Sequence, residues 1–247
     1  MADHLFEDET LAGLYDAMCP RETRADFDFY LPMVMAAEAV LDVGCGTGAM
    51  LHEARDAGHR GRLCGVDPAA GMLAQARRRS DIAWVLGDLT TGGWDAEFDL
   101  IVMTGHAFQV LVEDAEVDVA LAAAARALKP GGTLAFETRN PQARAWEGWT
   151  ADQPTAIPLK NGMAATMVRE VETGFDGRTV SFRHTFTHPA WPEPQTSRST
   201  LRFMSPPELD AALARAGLAV AQRFGDFDRS PFTDASPEIL VLARREA

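Results

Sequence analysis

The 247-residue chain is predicted to fold as an α/β protein with a doubly wound, mostly parallel seven-stranded sheet. A helical cap precedes the sheet, and an antiparallel β insertion follows its fifth strand. Three observations predict this. Short apolar runs alternate with helix-length segments from Val40 to Glu137, the pattern of a parallel sheet covered on both faces. Several of these runs end in a glycine or an acid. The alternation then fails over residues 141–199, where apolar and polar residues alternate singly, as in antiparallel strands. A chain of this length buries a full core within one domain. We divide that domain into a cap (1–37), a core (38–140 and 200–247) and the insertion (141–199).

The cap is read as a helix over Thr10–Met18, a break at Pro20, and a helix over Glu22–Ala36 interrupted by Pro32. The first strand, Val40–Val43, runs into Gly44, Gly46 and Gly48, and a helix opens at Ala49. Glycines this close let the backbone turn tightly and let a ligand touch it. A strand, glycine turn and helix in this order form a site for an adenosine-containing cofactor at the carboxyl end of a sheet. The spacing is G-x-G-x-G, not the G-x-G-x-x-G that seats a dinucleotide pyrophosphate. Asp42 stands two residues before the first glycine. A carboxylate there repels a pyrophosphate and receives an ammonium group, which suits the methionine end of S-adenosylmethionine.

The second strand, Arg62–Asp67, ends in an acid nineteen residues after Gly48 (48 to 67), near the offset of about 20 expected for a ribose-binding acid. The third, Ile82–Leu86, ends in Gly87-Asp88-Leu89, where an acid can accept a proton from an adenine amino group. The fourth, Phe98–Met103, ends in Thr104-Gly105-His106. A helix over Ala115–Leu128, the turn Lys129-Pro130-Gly131-Gly132 and a fifth strand, Thr133–Glu137, complete the run.

These residues resemble the class I S-adenosylmethionine-dependent methyltransferases. The matching pieces are VLDVGCGTG, VDPAAGML, GDL, FDLIVM and ALKPGGTLAFE, in the family's order and spacing, over residues 36–140. The resemblance implies a Rossmann-like fold and a cofactor site drawn from Tyr15, Asp42, Gly44, Cys45, Gly46, Gly48, Asp67, Pro68, Met72, Gly87, Asp88, Leu89 and Thr104. Met72 would lie against the adenine, and the cap would close the cleft with the Tyr15 hydroxyl near the methionine carboxylate. Cys45 is a small neutral filler of the glycine turn.

In the insertion, Met163–Glu172 and Thr179–His188 flank Gly174-Phe175-Asp176-Gly177 as a β-hairpin, and Thr196–Met204 adds a strand. Val180, Phe182, His184, Phe186 and His188 share one face. Ser205-Pro206-Pro207-Glu208 starts a helix that ends near Gly217. The strands Leu218–Phe224 and Glu238–Ala243 close the sheet, and the resemblance implies that one of them is antiparallel. The insertion lies at the carboxyl edge, so it supplies acceptor contacts or a homodimer contact.

The candidate chemistry follows from the sulfonium, which is already a strong methyl donor, so the protein mainly positions, desolvates and manages one proton. His106 is the candidate catalytic base or acceptor-orienting group, since histidine titrates near neutrality. Arg139, Trp146 and His184 are the further candidates for acceptor binding, Arg139 as a partner for a carboxylate or phosphate. Histidine and cysteine spacings give no metal site. A net charge of −13 argues against nucleic acid as the substrate. Asn140-Pro141 follows the fifth strand without an aromatic and reads as a turn rather than a base-holding motif. No apolar run approaches the ~18 residues of a membrane helix, and the acidic start MADHLFEDET is no secretion signal; with three scattered cysteines, these point to a cytoplasmic enzyme. The acceptor is expected to be a small molecule methylated on nitrogen or oxygen. A nicotinamide-dependent oxidoreductase is disfavoured because neither tyrosine, Tyr15 or Tyr30, begins Tyr-x-x-x-Lys. A protein that binds the cofactor without transferring the methyl group is the remaining alternative.

Overall fold

The structure, a computed structural model, describes residues 3–159 and 162–246. Its main sheet has seven strands: β1 (Ala39–Val43), β2 (Arg62–Asp67), β3 (Ala83–Leu86), β4 (Phe98–Met103), β5 (Leu128–Arg139), β10 (Leu218–Phe224) and β11 (Glu238–Arg245). Their spatial order is β3-β2-β1-β4-β5-β11-β10. The first five are parallel to one another, and β11 is antiparallel to both β5 and β10. Every residue of β1 is buried, as a strand with helices on both faces must be. The strand order reverses between β1 and β4, and in open α/β sheets the ligand crevice opens at such a point, beyond the strands' carboxyl ends.

The helices are α1 (His4–Glu7), α2 (Glu9–Ala12), α3 (Tyr15–Met18), α4 (Ala25–Ala36), α5 (Ala49–Asp56), α6 (Ala70–Ala76), α7 (Asp114–Ala127) and α8 (Pro206–Arg215). α5 starts at Gly48, in the left-handed region at φ +76°. α8 begins as expected, with Ser205 and Glu208 forming a reciprocal capping box. Lys129–Gly132 belongs to β5 rather than to a preceding turn: it bulges out of the β4 ladder, which shifts register between Phe98 and Leu100.

The cap departs from the sequence expectation twice. Thr10–Met18 is not one helix, because the lead-in makes three single turns with breaks at Asp8 and Gly13. Turns this short are unstable alone. Leu5, Leu11 and Leu14 hold them by packing against Ile157, Met167 and Phe186 of the insertion, at about 1.5–3 kcal/mol for each fully buried side chain. On the core side, Gly71 admits α1: a Cβ there would lie 2.5 Å from the carbonyl oxygen of Glu7. In the second departure, α4 runs unbroken through Pro32. Pro32 is exposed, as is Asp28, whose carbonyl loses its helical partner there, so the break falls on the solvent side of the helix.

The insertion forms a separate antiparallel sheet of β6 (Thr155–Pro158), β7 (Ala164–Thr173), β8 (Thr179–Thr187) and β9 (Gln195–Arg202), in that order. β6 was not foreseen. Val180, Phe182, His184 and Phe186 share the buried face of β8. His188 falls just beyond the strand, where its Nδ1 accepts from the amide of Ala190.

Candidate active site

The carboxyl ends of β1, β2, β3 and β4 converge with the cap to form the candidate site. Gly44, Gly46 and Gly48 all take positive φ, and a Cβ on Gly44 would stand 2.8 Å from the Cβ of Ala107. The bend therefore needs bare backbone both for its conformation and for its packing against the β4 loop.

Asp42 is 1% exposed, and its Oδ1 has no hydrogen-bond partner. Burial, with Asp67 nearby, pushes its carboxyl up to about 7. A buried acceptor without a donor costs about 1–3 kcal/mol, more when charged. This orphaned oxygen fits a ligand ammonium group. Asp67 is better satisfied: Oδ2 accepts from the Gly46 amide and Oδ1 from the Ala69 amide, both at 2.8 Å. Burial raises its carboxyl, and those two amides partly offset the rise. It thus ties the glycine bend to the start of α6, with lone pairs left for sugar hydroxyls.

Met72 is buried with Ala12, Ala69, Phe6 and Tyr15, between α6 and the cap, and a Cβ on Gly46 would approach its Cε at 3.5 Å. Pro68 is exposed beside Asp67. The Gly87 amide donates to the carbonyl of Asp67. Asp88 is exposed, and its Oδ1 accepts from the Thr90 amide and from the hydroxyls of Thr90 and Thr91, while no such bond to Oδ2 is seen among the described residues. Those bonds, the Thr90 hydroxyl first, lower its carboxyl. Cys45, Thr104 and Leu89 are buried, and Leu89 packs in the main core.

The cap contributes cations and hydroxyls above this floor. Arg24 is held by both carboxylate oxygens of buried Asp26, closest at 2.6 Å. Burial opposes its charge, but the Asp26 contacts outweigh burial and its pKa rises. A Cβ on Gly105, just past β4, would lie 3.7 Å from Arg24 Nη2 and 3.9 Å from the Tyr15 hydroxyl, so both groups reach over the β4 loop. Burial strongly raises the Tyr15 phenol, which stays neutral. The Thr47 hydroxyl, within the glycine bend, donates to Asp16 Oδ1 at 2.6 Å and joins floor to cap.

His106 takes a left-handed conformation, φ +64°, rare for a residue with a Cβ and concentrated at functional sites. Its amide donates to Glu137 Oε1 at 2.7 Å, and the Tyr30 hydroxyl donates to Glu137 Oε2 at 2.6 Å. Its ring Nε2 meets the Glu238 carboxylate at 3.0 Å. Glu137 is fully buried, and burial raises its carboxyl.

Arg139, Trp146 and His184 gather around Trp149 and its apolar cluster. Trp146 stacks on Phe175 at 4.5 Å and meets Phe203 edge-on, inside the insertion's own apolar cluster. Arg139 donates to Gln109 Oε1 and lies over the ring of Trp149. His184 is buried and accepts a hydrogen bond from Arg169. The sequence reading did not single out Arg24, Glu137, Arg169 or Glu238 for the site. An acid closing the apolar run Leu134–Phe136 was a usable signal for Glu137; nothing local marked Arg169 or Glu238.

Comparison with known proteins identifies the family and the fold. The methyltransferase domain family matches residues 40–132. The chain is 30% identical over 212 residues to the cypemycin N-terminal methyltransferase of a Streptomyces species, covering 84% of this chain and 83% of that one. Two solved structures share the fold. One is the sugar N-methyltransferase KedS8 of a Streptoalloteichus species, with TM-score 0.75 and 18% identity over 95% of this chain and 92% of that one. The other is CalS10 of Micromonospora echinaspora, an amino pentose methyltransferase with S-adenosylmethionine bound, with TM-score 0.67 and 24% identity over 96% of each chain. The chain belongs to the class I S-adenosylmethionine-dependent methyltransferases. Among the described residues, no helix is long and apolar enough to cross a membrane.

Proposed function

We propose that this enzyme methylates a nucleophilic nitrogen or oxygen of a small-molecule metabolite, with an amine favoured, in the cytoplasm. The single observation that carries the cofactor assignment is the orphaned, buried Oδ1 of Asp42 beside the glycine bend. Bound S-adenosylmethionine supplies an electrophilic methyl group on a sulfonium. Asp42 would receive its ammonium group, Arg24 and Tyr15 its carboxylate, Asp67 its ribose hydroxyls and Asp88 Oδ2 its adenine amine, with Met72 along the ring. The cap, held down by Thr47 and Asp16, would keep water from the buried contact at Asp42.

An amine acceptor must lose a proton before it attacks, and a hydroxyl during attack. The contact of His106 Nε2 with the Glu238 carboxylate places the ring proton on Nε2, which leaves Nδ1 as the proton-accepting nitrogen. Oriented by Glu238, His106 holds the acceptor's proton at Nδ1. The amine preference is supported by the named activities of the cypemycin N-terminal, sugar N- and amino pentose enzymes. The three unpaired thiols suit a reducing compartment, and the acidic surface disfavours nucleic acid.

The test is transfer of tritium from labelled cofactor to a panel of small amines and alcohols. We expect label in a subset of the amines. Tight cofactor binding with no transfer to any acceptor would instead support a cofactor-binding scaffold.

A further inference from the structure

Arg169, in the middle of β7, is a partly buried cation without an acid. Its Nε donates to His184 Nε2 at 2.9 Å, and its other two guanidinium nitrogens make no hydrogen bond or ion pair with the described residues. The chain does not lack acids, carrying 36 against 23 basic residues. On the neighbouring strand Arg183 pairs with both Glu170 and Glu172. Arg139 makes one bond, to Gln109, and has no carboxylate within ion-pair distance among the described residues, although Glu238 stands opposite it in the β5–β11 ladder. Both guanidinium groups lie over Trp149, at 5.3 Å for Arg169 and 5.4 Å for Arg139. Burial lowers the pKa of both; Glu238 and Glu137 partly offset it at Arg139, whereas no carboxylate does so at Arg169, which is the desolvated charge lacking a counter-charge.

The hydrogen-bond chemistry is one-sided. Because Arg169 only donates, His184 Nε2 must accept. Its ring is therefore neutral and carries its proton on Nδ1, which is buried without a partner. Burial and Arg169 agree, pulling that histidine down to about 4. Every unpartnered polar hydrogen of Arg169, Arg139 and His184 is thus a donor. A cavity of about 160 Å³ opens beside Arg169, lined also by Trp149, Thr150, Gln153, Thr155 and Met167. Guanidinium forks match carboxylate and phosphate oxygens in pairs.

From this cluster we infer that the methyl acceptor carries an anionic group, a carboxylate or a phosphate, which Arg169 and Arg139 bind across Trp149. The inference rests on the methyltransferase reading above and adds to it the charge class of the acceptor. His184 is a positioning residue: it fixes the guanidinium of Arg169 through Nε.

The experiment uses the full chain saturated with S-adenosylhomocysteine, and titrates inorganic phosphate and acetate separately, followed by arginine side-chain NMR. Saturable binding of either anion is expected, with the more tightly bound one identifying the source. R169Q should weaken it by about tenfold or more, the worth of a lost charge-assisted contact, and leave S-adenosylhomocysteine affinity unchanged. If R169Q does not fold, the wild type decides: the Arg169 Nε–H signal must move with anion concentration. Absence of saturable binding, an unmoved Arg169 signal, or equal binding by R169Q overturns the inference. Failure of wild-type protein to bind S-adenosylhomocysteine would contradict the cofactor assignment instead, so the two failures are distinct.

Discussion

The floor of the cleft is acidic and is written in short stretches of sequence, whereas its roof is basic and is assembled from distant segments. Asp42, Asp67, Asp88 and Glu137 stand at or just beyond the ends of four main-sheet strands, while Arg24, Arg139, Arg169 and His184 come from the start of α4, the end of β5, and β7 and β8. On the proposed assignments the floor would take an ammonium group and hydroxyls, and the roof carboxylates and other anions. In a chain of net charge −13, placing arginines over an acidic floor polarises the cleft for zwitterionic or anionic ligands.

Substitutions that neutralise one side should break this contrast selectively. The largest effect is expected for D42N, which should weaken S-adenosylmethionine binding by about 100-fold or more, since a buried charge loses its partner. The same change should stabilise the ligand-free protein at pH 8. Because the folded-state pKa is raised to about 7, the folded form retains a proton that the unfolded chain has already lost. Stability therefore falls as pH rises from the ordinary carboxylate range through about 7, and an asparagine escapes that loss. Scanning calorimetry should show D42N melting above wild type at pH 8, with a smaller gap at pH 5.

At the junction of floor and roof, H106Q should lower kcat by about 100-fold, within the usual contribution of a positioned base, while cofactor affinity stays constant. A wild-type rate in H106Q would reassign the contact with Glu238 to holding the β4 loop against β11. D67A should cut cofactor affinity by roughly 10- to 100-fold and also lower the melting temperature, because the amides of Gly46 and Ala69 lose their acceptor. The smallest effect is expected for T47V. Removing the hydroxyl that bonds Asp16 should speed cofactor release only a few-fold, in line with about 0.5–1.5 kcal/mol for one hydrogen bond; stopped-flow displacement would measure it.

The same contrast explains what the sequence made legible. β1 to β5 were readable as short apolar runs alternating with helices, and Asp42, Asp67 and Asp88 because each lies at or beside the end of its run. The capping box at Ser205 and the hairpin around Gly174–Gly177 were equally local. β6 escaped notice because Thr155–Pro158 is four residues long and buries only Ile157, too little to make a period-2 pattern. Thr10–Met18 reads as one helix in sequence, but the short turns found there take their stability from Ile157, Met167 and Phe186, more than a hundred positions away. Arg169 and Glu238 gain their meaning from cross-strand and cross-sheet neighbours, and no spacing rule in one dimension encodes those.

The most direct test of the central claim is calorimetric titration of wild type and D42N with S-adenosylmethionine at pH 6 and pH 8, beside a nicotinamide dinucleotide control. Wild type should bind the sulfonium cofactor more tightly at pH 8, release protons on binding at pH 6, and ignore the dinucleotide; D42N should bind weakly at both pH values. Equal affinity in the two proteins, or uptake of the dinucleotide in place of the sulfonium compound, would contradict the assignment of Asp42 and of the glycine bend beside it.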